Sequence, residues 1–165
     1  MATPAIQIRL NGLSDLLRKV DKRLYAQPIR DMLQRSSAEI AGEVREKTPV
    51  DTGRLRNSVT SEVEKTMPTD VPTWARIGSN VVYAPPVEFG RKPGTFPPYR
   101  QLQPWARRHG FGPSGGFLVA RAIARRGTKG AEMFKRGLEA SEHQVVVFIE
   151  RASKEIEARW KRGRI

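Results

Sequence analysis

The run Thr48-Pro49-Val50-Asp51-Thr52-Gly53-Arg54-Leu55-Arg56-Asn57-Ser58 is where the sequence changes its period. Before it, apolar residues recur every three or four positions; after it, they alternate. Pro49 ends the helical pattern upstream, because its ring cannot continue the ladder of backbone hydrogen bonds. Asp51 can accept from backbone N–H groups two or three residues on, as an Asx-turn or an N-cap, and Gly53 opens a backbone conformation closed to other residues. The chain is expected to reverse at this corner. Helical periodicity on one side of it and strand periodicity on the other define an α+β fold, a small antiparallel β-sheet packed against N-terminal helices.

Upstream of the corner, Ile29, Met32, Leu33, Ile40 and Val44 mark an amphipathic helix, with Pro28 suited to its first turn. A separate, earlier helix on Leu13, Leu16, Leu17, Val20 and Leu24 is expected to end before Pro28. Ile6, Ile8 and Leu10 alternate with Gln7 and Arg9, so residues 1–10 hold a half-buried strand that Asn11-Gly12 breaks. Downstream, Val59, Ser61 and Val63 face one way and Thr60, Glu62 and Glu64 the other. Thr73 to Gly78 repeats the alternation, which predicts an antiparallel pair. Val81, Val82 and Tyr83 lead into Ala84-Pro85-Pro86-Val87-Glu88-Phe89-Gly90, where two prolines forbid further ladder bonds.

Residues 91–116 form a basic, Pro/Gly-rich insert, expected to be a mobile loop with one helical stretch from Tyr99 to His109. A short helix follows from Phe117 to Arg125, and Gly127-Thr128-Lys129-Gly130 separates it from the last element. That element is a long C-terminal helix on Met133, Phe134, Leu138, Val145, Phe148, Ile149, Ala152, Ile156 and Trp160, although Val145-Val146-Val147 is β-branched. Residues 161–165 are expected to fray. The whole of 1–165 suits one domain.

Thirty Lys+Arg against 17 Asp+Glu give a formal charge of +13, which draws the protein to anionic partners without saying which. There is no cysteine, so disulfides, Cys-ligated metals and thiol catalysis are excluded. No stretch approaches the roughly 20 apolar residues that span a membrane, and no basic, apolar leader opens the chain. The expected setting is a soluble one.

Catalytic constellations are not visible. His109 and His143 lack metal-ligand spacing, no G-x-S-x-G elbow is present, and Asp51-Thr52-Gly53 has no phosphate-cradling G-x-x-x-x-G-K-[ST] beside it. Glu39, Glu43 and Glu46, like Glu150, Glu155 and Glu157, are interleaved with basic residues, as on a solvated helix face. Glu88 is different, set between Val87 and Phe89, and a structural hydrogen bond or salt bridge suits it better than catalysis. The chain therefore reads as a non-enzyme without metal or cofactor.

The positive charge is concentrated. From Arg91 to Arg136 the chain carries Arg91, Lys92, Arg100, Arg107, Arg108, Arg121, Arg125, Arg126, Lys129, Lys135 and Arg136 against the single acid Glu132. Phe96, Tyr99, Trp105, Phe111 and Phe117 are interleaved with them. Such a stretch can anchor a protein interface or grip a nucleic-acid backbone, and it can also be a solvated loop with its aromatics tucked inside. Arg91, Lys92, Arg100, Trp105, Arg107, Arg108, Arg121, Arg125, Arg126 and Lys129 are the candidate interface or anion-binding residues. Sequence-independent DNA binding by 91–136 is one function the chain would serve; a hydrolase or nuclease is a second, and a toxin-like or regulatory protein a third.

The corner, followed by Ile77-Gly78-Ser79, Val82-Tyr83-Ala84 and Val87-Glu88-Phe89-Gly90, together resembles the siphophage tail-component family of neck (tail-completion) and minor tail proteins, related to minor tail protein Z. The stretch Ala120 to Phe134 is also similar to that family, so the resemblance covers roughly residues 10 to 160. It departs from the family at Pro85-Pro86 and in the long insert after Gly90. The resemblance implies an α+β virion protein that completes the tail at the neck of a long-tailed bacteriophage and joins it to the head. Its implied partners are copies of itself in a ring, a hexamer by analogy with the tail, together with tail terminator and head-completion or connector proteins, with genomic DNA in the channel and no membrane. It implies assembly in the host cytoplasm and residence in the virion. By position, Pro49, Asp51, Thr52, Gly53 and Leu55 would shape the corner, Tyr83 and Phe89 would pack it, and Glu88, followed by Gly90, would fix it.

Overall fold

The computed structural model describes residues 5–9, 21–67 and 70–162. Three strands, β1 (Ala5–Arg9), β2 (Val59–Val63) and β3 (Trp74–Ser79), form an antiparallel sheet in the order β1-β3-β2. The register opposes Ile6 to Ile77 and Ile8 to Ala75 on one side of β3, and Val59 to Ser79 and Val63 to Ala75 on the other. Because side chains alternate along a strand, this register puts Ile6, Ile8, Val59, Val63, Ala75 and Ile77 on a single face. That face meets the helices, and Ala75, Ile77 and Val59 are fully buried there.

The helix α1 (Lys22–Lys47) lies across the sheet. Asp21 caps it, its carboxylate accepting from the Arg23 N–H at 3.0 Å. Tyr25, Ile29, Met32, Leu33, Ile40 and Val44 supply the buried stripe. The helix stops at Thr48, whose hydroxyl donates to the Val44 carbonyl at 2.6 Å, and Pro49 follows. The break expected at Pro28 does not occur. Pro28 sits two turns into α1 and is fully buried. Its missing N–H leaves the Leu24 carbonyl without its helical donor, a loss that the burial of Tyr25, Ala26, Pro28 and Ile29 outweighs. Leu24 therefore belongs to α1; the rest of the expected first helix, and Leu10, lie outside the described residues.

After the short helix α2 (Arg54–Ser58) and the β2–β3 pair, the chain forms α3 (Ala84–Phe89), in which Pro85 and Pro86 occupy the first turn, where no helical N–H is needed. The C-terminal helix α6 (Met133–Arg162), 30 residues and about 45 Å long, packs along α1. The two backbones meet closely at Gly137, where a Cβ would lie 2.6–2.8 Å from the side chain and backbone of Val44. The β-branched run does not break α6: Val145 packs on the core while Val146 and Val147 stay exposed. Glu155–Arg159 and Glu157–Lys161 ion pairs lie near its end, Arg159 also donating to the Arg23 carbonyl of α1 at 3.4 Å, and the hydrogen bond from Lys161 lowers the pKa of Glu157.

Between α3 and α6 the chain leaves the body and returns. Strand β4 (Gly90–Arg91) pairs antiparallel with β5 (Thr128–Lys129), and between them lie α4 (Tyr99–Arg108) and α5 (Gly115–Arg126). The insert expected as a loop with one helix is thus the first half of a helical hairpin closed by a two-residue ribbon.

Candidate functional site

Gly53 at the corner has φ +77°, the left-handed conformation that its identity predicts, and starts α2. Leu55 is buried beneath it and Ser58 shares a 2.7 Å hydrogen bond with Ser79 of β3, so the corner is bolted to the sheet. Pro49 and Thr52 are exposed. Asp51 does not cap the turn. Its carboxylate accepts both Nε (3.0 Å, at Oδ1) and Nη2 (at Oδ2) of Arg108, 57 residues away on α4. The hydrogen bond from Arg108 holds the Asp51 carboxyl below its ordinary value and raises that of the guanidinium in turn.

The Val87–Gly90 stretch acts as a knot. Glu88 is 4% exposed, and its Oε2 accepts the Phe134 N–H at 3.1 Å, capping the first turn of α6 across the fold. Among the described residues no arginine is its partner. The carbonyls of Val87 and Glu88 accept from the N–H groups of Ala131 and Glu132, at 2.8 and 3.1 Å. Gly90, with φ +73°, passes so close to β5 that a Cβ would meet the Thr128 carbonyl at 2.2 Å. Glu88 therefore fixes the start of the last helix rather than the corner. Tyr83 and Phe89, expected to pack the corner, are 41% and 71% exposed and do not.

The hairpin carries the candidate interface residues. Arg100, Trp105, Arg107 and Arg108 stand on α4, Arg121, Arg125 and Arg126 on α5, and Arg91, Lys92 and Lys129 at the ribbon. The helices are bound to one another through glycine: a Cβ on Gly116 would strike the Tyr99 carbonyl at 2.5 Å, and one on Gly115 would strike Phe111. Gln103 braces them, its Oε1 accepting from the Gly116 N–H at 2.8 Å and its amide donating to the Gly112 carbonyl. Two aromatic groups flank the crossing. Phe117 meets Phe96 and Tyr99 with ring centroids 5.7 and 6.2 Å apart, and Trp105 stacks on His109 at 4.1 Å and on Phe111 at 6.2 Å. These rings remain partly exposed rather than tucked into the core.

Apart from its ribbon, the only hydrogen-bonded tie from this arm to the rest of the described residues is Arg108–Asp51. Of the nine cations from Arg91 to Lys129, which include one at each end of the ribbon, Arg108 is also the only one in an ion pair among the described residues. Sequence reasoning found the arm's charge but not Gln103 or the Asp51–Arg108 link, which no local pattern signals. Among the described residues no three His, Cys, Asp or Glu side chains cluster to hold a metal. No helix among them is long and apolar enough to cross a membrane.

The described residues thus form a small α+β body that carries a basic, aromatic arm. Residues 12–90 match the family described as "Bacteriophage HK97-gp10, putative tail-component". Over residues 12–90, a little under half of its length, the chain is thus similar in sequence to a phage tail component. The match ends at Gly90, so the similarity noted for Ala120 to Phe134 lies outside it. No curated protein and no solved structure matches the chain.

Proposed function

We propose that the protein is a neck or tail-completion subunit of a long-tailed bacteriophage, joining tail to head without catalysis or cofactor. Copies close into a ring around the DNA channel, a hexamer by analogy with the tail, because head-to-tail contacts that close make rings. The arm reaches a neighbouring subunit or the tail terminator and head-completion or connector proteins. Exposed aromatics supply affinity there, and unpaired cations steer the approach. The subunit is made in the host cytoplasm and ends in the virion. The observation that carries this reading is the tail-component match over residues 12–90. Electron microscopy of particles from a phage lacking the gene tests it: separate heads and tails are expected, cured by supplying the protein. Complete, infectious particles without it would overturn the proposal.

A second reading, sequence-independent DNA binding by 91–136, is favoured by the unpaired cations of the arm. Its mark would be duplex binding that falls steeply between low and moderate salt. Binding insensitive to Arg121→Glu and Arg125→Glu would remove it.

A further inference from the structure

We propose that the open groove on the outer face of α1 seats the arm of a second copy of this chain, an inference that rests on reading the protein as a self-assembling tail subunit. The groove, of about 600 Å³, is lined by Ala38, Glu39, Gly42, Glu43 and Glu46 of α1 and by Phe148 of α6, with Arg35 the single cation in its lining. The three- and four-residue spacing places the α1 residues along one strip of the helix.

Gly42 points to an outside occupant. It lies in the interior of a 26-residue helix, where glycine is the poorest choice after proline, and a Cβ there would meet nothing within 4 Å. Gly137, by contrast, is required by Val44. A helical glycine that the single chain does not need is accounted for by a neighbour closing on the helix backbone from outside.

The arm has the matching chemistry. Residues 91–131 contain no acid, and Phe117, Arg121 and Arg125 follow one another at i, i+4 on α5, all exposed. Phe117 and the adjacent Leu118, 46% and 52% exposed, form an apolar knob for the gap between Ala38, Gly42 and Phe148. Arg121 and Arg125 then face the glutamates. Glu39 has no ion-pair partner among the described residues, whereas Glu43 and Glu46 share Lys47 at 3.5 Å each. A nucleic-acid backbone would be repelled by these carboxylates, so the groove selects a cationic protein segment. Arm into groove is a head-to-tail contact, the kind that propagates around a ring.

Sedimentation equilibrium of the purified full chain, at low and at physiological salt, tests the pairing. Concentration-dependent association that weakens with salt is expected. Glu39→Lys with Glu43→Lys, or Arg121→Glu with Arg125→Glu, should each weaken it by about tenfold or more. Mixing the two variants should restore a dimer, because the intact arm of the first meets the intact groove of the second. Gly42→Ala should raise the thermal midpoint by about 2–4 °C while weakening association. A wild-type chain that stays monomeric throughout, or variants that associate unchanged, would overturn the inference. So would normal incorporation of Gly42→Leu into particles, which leaves the tail-component reading standing; absence of the wild-type chain from particles would instead sink that reading.

Discussion

Replacing Glu88 isolates the contact that ties the centre of the fold to its last helix. The carboxylate is 4% exposed and accepts the Phe134 N–H, one of the donors that the first turn of α6 cannot satisfy itself. Glu88→Ala strands that buried N–H, at about 1–3 kcal/mol. It also removes a negative charge from the N-terminus of a 30-residue helix, worth about 0.3–1 kcal/mol more, and leaves a small void. The expected loss is about 2–4 kcal/mol, or roughly 4–16 °C of thermal midpoint for a chain of this length. Glu88→Gln keeps an acceptor oxygen and gives up only the charge, so about 1 kcal/mol is expected. Urea unfolding measures both, with the midpoint shifted and the slope unchanged if the folded state keeps its compactness. Hydrogen exchange at the Phe134 amide should accelerate in the alanine variant alone. A Glu88→Ala protein as stable as the wild type, with Phe134 still protected, refutes the capping argument.

Gly137→Ala should cost about 1–3 kcal/mol despite alanine's better helix propensity, because its methyl would lie within 2.8 Å of Val44; thermal unfolding reads this directly. The Asp51–Arg108 tie should loosen in acid. The Asp51 pKa is lowered from 3.8 by the Arg108 hydrogen bond, so the tie's contribution is complete above about that pH and is lost as pH falls through the lower folded-state value. Exchange of α4 amides should therefore rise at low pH in the wild type, and Asp51→Asn should show the faster exchange already at neutral pH. Replacing residues 92–127 by an Asn-Gly turn should leave the body folded, since the Gly90–Arg91 and Thr128–Lys129 ribbon already has the geometry of a hairpin. Loss of the cooperative thermal transition in that protein would show that the arm is part of the core.

The strands and the long helices were legible because burial imposes a period on them. Ile6 and Ile8, Val59 and Val63, and the stripe from Ile29 to Val44 declare their faces, and the structure buries those faces. Pro28 misled because its local cost is real, while the burial that offsets it comes from β3 and α6, which are distant in sequence. The ribbon escaped notice because two residues per strand carry no alternation. Tyr83 and Phe89 misled differently: aromatic identity suggests burial, yet solvent or a partner can hold an aromatic ring as well as a core can. Asp51 and Arg108, 57 positions apart, could be paired only by the fold.

The arrangement at Val87–Gly90 explains why a family signature can stop there. Within four residues the side chain of Glu88 sets the start of α6, two carbonyls hold the turn before it, and Gly90 opens the ribbon that carries the arm. Departure and return of the chain are thereby fixed at one place, against the body and independently of what lies between them. A segment inserted at such a point can change its length and charge without disturbing the sheet or the α1–α6 crossing, because its own helices are held by Gly115, Gly116 and Gln103 rather than by the core. The matched span therefore ends where the chain leaves the body, and the basic arm lies beyond it.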